Sequence, residues 1–128
     1  MASIVVIDDD HNFRDMLGQM LKRCGHACQD FSNPTEALRH LGNHKADLVI
    51  TDIMMPGMDG LALAQIMRDR FPFIPIIAMS GGPYMEKPSN QLYNAGAYGV
   101  HYLLPKPFGM EDLKQNLEKA LASSLALE

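Results

Sequence analysis

With 128 residues, 47% of them hydrophobic and 20% charged, the chain has the size and composition of one globular domain built on a single core. A net charge of −4 without any cluster of Lys or Arg excludes a sequence-unspecific grip on nucleic acid. No apolar stretch approaches the roughly 20 residues that span a bilayer, and the N-terminus has no basic segment before its first apolar run, which argues against a secretory signal and for the cytoplasm.

In chain order, residues 4–8 read as a strand and 11–24 as an amphipathic helix with Phe13, Leu17, Met20, Leu21 and Cys24 inward. Asp10 suits the N-cap of that helix and Gly25 its C-terminal cap. Residues 27–31 form a short second strand. Asn33-Pro34-Thr35-Glu36 then supplies an N-cap, a proline at the first helical position and a capping-box acid, for a helix that buries Ala37, Leu38 and Leu41 and stops near Gly42. The third strand is 47–52. Asp59 can cap a helix running to about Arg70, with Leu61, Leu63, Ala64 and Met67 buried. Pro72 and Pro75 bracket the entry to a fourth strand, 76–80. A Gly/Pro-rich loop from Gly81 to Ser89 leads to a helix near 90–98, and the fifth strand, Tyr102-Leu103-Leu104, ends at Lys106-Pro107. A last helix at about 109–125 places Leu113, Leu117, Ala120 and Leu121 on one face.

Five strands alternating with five helices predict an α/β fold: a doubly wound, five-stranded parallel sheet of the flavodoxin-like kind, covered on both faces in three α/β/α layers. The expectation is one domain over 1–128 with its core at about 4–121, and with Met1-Ala2-Ser3 and Leu127-Glu128 read as ends left by cloning. Cys24 and Cys28, with His26 between them, read as reduced structural thiols, because a metal would need a further ligand nearby. Most of the ten methionines read as core filler.

In such a fold the C-terminal ends of strands one, three, four and five open onto one crevice. The sequence places Asp8, Asp9, Asp52, Ser80 and Lys106 there. Three neighbouring carboxylates repel unless a cation neutralises them, and an all-oxygen donor set suits Mg²⁺ before Zn²⁺. Lys106 adds a positive point charge and Ser80 a hydroxyl. This set suits phosphoryl transfer, which depends on positioning and charge neutralisation, with Asp52 as the central carboxylate and nucleophile.

Four motifs then carry a resemblance: the acidic run Asp8-Asp9-Asp10, the segment from Asp47 to Gly60 around Asp52, Ala78-Met79-Ser80-Gly81, and Leu104-Pro105-Lys106-Pro107-Phe108. The chain resembles the receiver domains of two-component response regulators from about Ile4 to Leu121. The resemblance implies that Asp52 is the phosphoacceptor and that Asp9 binds Mg²⁺ directly with Asp8 assisting, largely through water. It further implies that the ion takes the backbone carbonyl of Met54, that Ser80 and Lys106 meet the phosphoryl oxygens, and that the Lys106-Pro107 peptide is cis. The implied phosphodonor is a sensor histidine kinase or a histidine phosphotransfer protein. Such a module catalyses only its own phosphorylation and dephosphorylation, and it is not a conventional enzyme.

Three positions depart from the pattern of that family. Ser80 stands where Thr is common. The position three before Lys106, where a switch aromatic is usual, is Leu103, and Tyr102 one residue earlier points to the opposite face of its strand. The Gly81–Ser89 loop is longer than usual. Tyr84, Met85, Tyr93, Tyr98 and Tyr102 mark the fourth helix, fifth strand and fifth helix as an apolar face for a dimer mate or output partner. Two other readings compete. A Mg²⁺-dependent phosphohydrolase with an aspartyl nucleophile wants a second acid two residues after that nucleophile, where this chain has Met54. A binding-only pseudo-receiver would not need all five rim residues. No effector segment follows Leu125, so the expectation is either a stand-alone receiver or a piece of a longer regulator.

Overall fold

The computed structural model describes residues 1–55, 58, 60–80 and 100–127. Its elements are β1 (Ser3–Ile7), α1 (His11–Arg23), β2 (Ala27–Phe31), α2 (Pro34–Asn43), β3 (Leu48–Asp52), α3 (Gly60–Arg70), β4 (Ile76–Ser80), β5 (Tyr102–Pro105) and α4 (Met110–Leu127). The strands form one parallel five-stranded sheet in the order β2-β1-β3-β4-β5. This is the flavodoxin-like order. The expected helix near 90–98, the Gly81–Ser89 loop and Asp59 lie outside the described residues.

The strands read as unbroken apolar runs because both of their faces are covered. Val5, Ile7, Val49, Ile76 and Ala78 pack with α2 and α3 on one side. Ile4, Val6, Leu48, Ile50, Ile77 and Met79 pack with α1 and α4 on the other. Alternation at period two therefore separates two buried layers instead of a wet face and a dry one. Each fully buried side chain of this kind contributes roughly 1.5–3 kcal/mol by leaving water. β2 is an edge strand, and it accordingly keeps exposed positions at Ala27, Gln29 and Asp30.

Local caps set the helix ends. The Asp10 side chain accepts from the Phe13 N–H, so this acid caps α1. Gly25, at φ +86°, closes the same helix: its N–H donates to the Lys22 carbonyl and the next N–H, of His26, to the Leu21 carbonyl. That pair of bonds is a Schellman motif and needs the left-handed conformation glycine tolerates. Asn33 caps α2 through the Glu36 N–H, with Pro34 opening the helix. α2 runs past Gly42 to Asn43, one residue further than its sequence implies, with His44 closing it through the His40 carbonyl.

Both thiols are free and half-buried. Burial, together with the charge of Asp30 and against the pull of Lys22, pushes the Cys28 thiol up to about 11, which makes it inert. His26 Nδ1 accepts from the Ala2 N–H, so the imidazole between the two cysteines has a structural partner. Of the nine described methionines, Met1, Met16 and Met54 are exposed and the other six are buried or half-buried, in line with most of them being filler.

Side-chain acceptors satisfy strand N–H groups at the N-terminal edge of the sheet. Asp47 accepts from the Ser3 N–H at 2.8 Å, and His101 Nδ1 accepts from the Ile76 N–H at 3.1 Å. An imidazole that accepts at Nδ1 must be neutral there, and desolvation holds His101 below its ordinary value of 6.5. The unfolded chain then binds more protons than the folded one in this range. Its contribution to stability is complete above the unfolded value and declines as pH falls through the lowered folded value. Urea denaturation across that range is expected to show a declining unfolding free energy. In His101→Phe the plateau should be lower but the His101 part of the slope lost; an unchanged slope would refute the assignment.

Candidate functional site

The strand order reverses between β1 and β3, and ligands of open parallel sheets bind at the C-terminal ends of the strands flanking such a switch point. Asp8 follows β1 directly and Asp52 ends β3. Oxygen atoms of Asp8, Asp9 and Asp52 lie within 4.8 Å of one another, so the predicted acidic trio does converge. Lys106, just past β5, places Nζ 2.9 Å from Asp8 Oδ2 and 3.5 Å from Asp52 Oδ2. Three carboxylates against one ammonium leave a formal local excess of two negative charges. That excess, in an all-oxygen donor set, fits a hard divalent cation.

The three acids are not equivalent. Asp8 is 0% exposed and both its oxygens are engaged: Oδ1 accepts from the Asp10 N–H and Oδ2 from Lys106. Asp9 is exposed and makes no hydrogen bond or ion pair among the described residues. Asp52 is 13% exposed in its side chain, and its Oδ1 accepts weakly from the Met54 N–H at 3.4 Å. Burial pushes the Asp52 carboxyl above its ordinary range; Lys106 opposes this, while Asp8 adds to it. Lys106 is thus the group that favours the ionised form a nucleophile needs.

Ser80 ends β4 and is 2% exposed. It stands one residue beyond Met79, the register partner of Asp52, and is itself paired with Pro105. Its carbonyl accepts from the Lys106 N–H, which ties the backbones of the hydroxyl and the lysine together. The Lys106-Pro107 peptide is cis. Leu103 is 37% exposed, whereas Tyr102 packs on the layer facing α1 and α4 and donates its hydroxyl to the Lys119 carbonyl at 3.3 Å. The two residues therefore face opposite ways, as their one-residue offset predicts. Of the expected docking face, Tyr84, Met85, Tyr93 and Tyr98 lie outside the described residues.

Arg14, Phe13 and Gly60 also serve the site, although the sequence reading gave them no part in it. Arg14 donates from one guanidinium nitrogen to the Asp8 carbonyl at 2.8 Å and from Nε to Asp30 at 2.9 Å, which fixes the chain where it leaves β1. His11 contacts the same guanidinium at 3.3 Å. Phe13 lies under Lys106, with Nζ 4.0 Å from its ring centroid. Gly60 opens α3 against the turn after Asp52, its N–H donating to the Ile53 carbonyl at 2.8 Å. A glycine directly after an acidic turn was the only signal for the last of these; the other two depend on partners distant in sequence.

The comparisons with known proteins agree with this geometry. The family model described as "Response regulator receiver domain" matches residues 4–118. The chain is 35% identical over 117 residues to the DNA-binding transcriptional regulator NtrC of Escherichia coli, covering 91% of this chain and 24% of that protein. It is 36% identical over 118 residues to the C4-dicarboxylate transport transcriptional regulatory protein DctD of Rhizobium meliloti, covering 92% of this chain and 25% of that one. The chain thus spans about a quarter of the length of these curated relatives. Among solved structures, a response regulator receiver domain protein from Clostridium thermocellum superposes with a TM-score of 0.89 at 26% identity, covering 100% of both chains. NtrX from Brucella abortus matches with a TM-score of 0.88 at 29% identity, covering 98% of this chain and 28% of that one. With the sheet order, the acidic trio and the lysine already in place, the match over residues 4–118 establishes that the chain belongs to the response regulator receiver domain family.

Proposed function

We propose that Asp52 is the phosphoacceptor of this receiver and that its partner is a sensor histidine kinase or a histidine phosphotransfer protein. An oxygen of the Asp52 carboxylate would attack the phosphorus of the phosphohistidine. The P–O bond forms as the P–N bond breaks, and the imidazole nitrogen leaves with the electron pair. The observation that carries this reading is the Lys106 ammonium between Asp8 and Asp52, at 2.9 and 3.5 Å. It favours an ionised nucleophile now and supplies a counter-charge for phosphoryl oxygens later. Ser80 would donate its hydroxyl to those oxygens.

Asp9, Asp52 and the Met54 carbonyl would hold Mg²⁺, with Asp8 acting chiefly through water. The bound ion would neutralise charge on the transferring group. Among the described residues the Asp9 carboxylate has no partner while both oxygens of Asp8 are engaged, which supports this division of roles. The module would act only on itself, in the cytoplasm, by shifting between two conformations that its partners distinguish. Dimerisation through the face around β5 and α4, and the absence of direct nucleic-acid binding, belong to the same proposal.

Incubation with an acyl phosphate and Mg²⁺ is expected to add the mass of one phosphoryl group to the wild-type chain and none to Asp52→Asn. Removing Mg²⁺ with a chelator should abolish the gain. Equal phosphorylation of Asp52→Asn would overturn the assignment, and rapid multiple turnover of unrelated phosphomonoesters would favour a hydrolase.

A further inference from the structure

Lys106 is held on three sides. Two of its contacts are the carboxylates of Asp8 and Asp52. The third is the face of Phe13, whose ring centroid lies 4.0 Å from Nζ. An ammonium within about 6 Å of an aromatic face is attracted by the negative quadrupole of the ring, most strongly where water is kept away. The lysine side chain is 20% exposed and Asp8 is 0% exposed, so the ring covers part of what would otherwise be a hydrated ammonium. Phe13 does not sit there loosely. Its ring meets Phe108 edge to face, with centroids 5.8 Å apart and planes at 87°. That geometry suits aromatic pairs and leaves a face of Phe13 for the cation. Phe108 lies two residues after Lys106, so the lysine and the brace under its platform belong to one short segment.

From this arrangement we propose that Phe13 is a positioning residue for Lys106. Its π face holds the ammonium at Asp8 and Asp52, and so sets how readily the lysine meets the incoming phosphoryl group. The inference rests on the reading of Asp52 as phosphoacceptor and adds to it a residue outside the expected set of metal ligands and phosphoryl contacts. By hydrophobic pattern alone Phe13 is an inward-facing residue of α1. Its electrostatic role distinguishes it from an ordinary core residue, because a core residue needs shape and apolarity whereas a cation platform needs electron density on its face.

Ring fluorination separates the two, since it withdraws that density while leaving the shape nearly unchanged. The test compares wild type, Phe13→Tyr, Phe13→Leu and a ring-fluorinated phenylalanine at position 13. Two readouts are taken: NMR relaxation of the Lys106 side chain in the unphosphorylated protein, and the rate of phosphorylation by an acyl phosphate with Mg²⁺. Phe13→Tyr should match wild type in both. The fluorinated ring and Phe13→Leu should free the lysine and slow phosphorylation roughly three- to tenfold. A fluorinated ring that behaves as wild type would reduce Phe13 to packing and overturn the proposal, as would an unaltered Phe13→Leu. If the relaxation data change as expected but the wild-type chain accepts no phosphoryl group, the positioning stands and the reading of Asp52 falls.

Discussion

Lys106→Met is expected to slow phosphorylation by on the order of a hundredfold, the usual scale for removing one preorganised charge partner from a reacting group. The same substitution should lower stability by about 2–3 kcal/mol. Asp8 is 0% exposed and, among the described residues, its carboxylate keeps only the Asp10 N–H once Lys106 is gone. Breaking a buried pair by removing one member leaves a charge that water cannot reach, at about 3–5 kcal/mol for full burial. Lys106 is 20% exposed, which moves the expectation toward the lower end. The oxygens of Asp9 and Asp52, within 4.8 Å of those of Asp8, then repel without the ammonium that lay against two of the three acids. Mg²⁺ should therefore restore more stability to the variant than it adds to wild type. Urea denaturation with and without Mg²⁺ measures both quantities. A variant as stable as wild type without the ion would mean that Lys106 is not what compensates Asp8.

The parts of this site that were legible in the sequence are those set by local pattern. Four of the five strands are short apolar runs between turn residues, and burial on both faces of a parallel sheet requires such runs. The strand ends alone place Asp8, Asp52, Ser80 and Lys106 at one rim. Asp10 and Asn33 follow N-cap preference directly, and each side chain does cap its helix. The contacts around the rim are another matter. Lys106 and Asp8 are 98 positions apart, and Arg14 and Asp30 are 16 apart on different elements. Nothing in either neighbourhood announces its partner. The division of labour between Asp8 and Asp9 was available only through family resemblance. Among the described residues, Asp8 has both oxygens engaged and Asp9 has neither.

The conformational relay shows the same limit from the other side. The offset between Tyr102 and Leu103 predicts opposite faces, and the contacts agree: Tyr102 is fastened to α4 through the Lys119 carbonyl while Leu103 is 37% exposed. An aromatic ring packed against α4 is not free to follow the Ser80 hydroxyl from across the sheet. Asp8, Asp9, Asp52 and Lys106 thus gather at one rim, while the position expected to hold the switch aromatic carries the aliphatic Leu103.

Gly60→Ala is expected to damage the protein more than any other glycine-to-alanine change among the described residues. A Cβ there would lie 2.4 Å from the Asp52 carbonyl oxygen and 2.9 Å from the Ile53 Cα. These are backbone atoms of the turn that carries Asp52, so no side chain can swing aside to make room. Either α3 retreats or the Asp52 turn shifts. Retreat of α3 would open the layer that buries Leu61, Leu63, Ala64 and Met67. Overpacking commonly costs about 1–3 kcal/mol, and a clash with backbone that cannot swing aside places this one at about 3 kcal/mol. Gly42, near the end of α2, is the internal control. Its Cβ would meet nothing within 4 Å, and alanine favours helix, so Gly42→Ala should be neutral or stabilising by about 0.5 kcal/mol. Urea denaturation of the two variants gives the comparison directly. Phosphorylation of Gly60→Ala under conditions where it remains folded should also be slower, since the turn holding Asp52 must move relative to Lys106. A Gly60→Ala protein with wild-type stability and rate would show that the close approach of α3 to the Asp52 turn is not required.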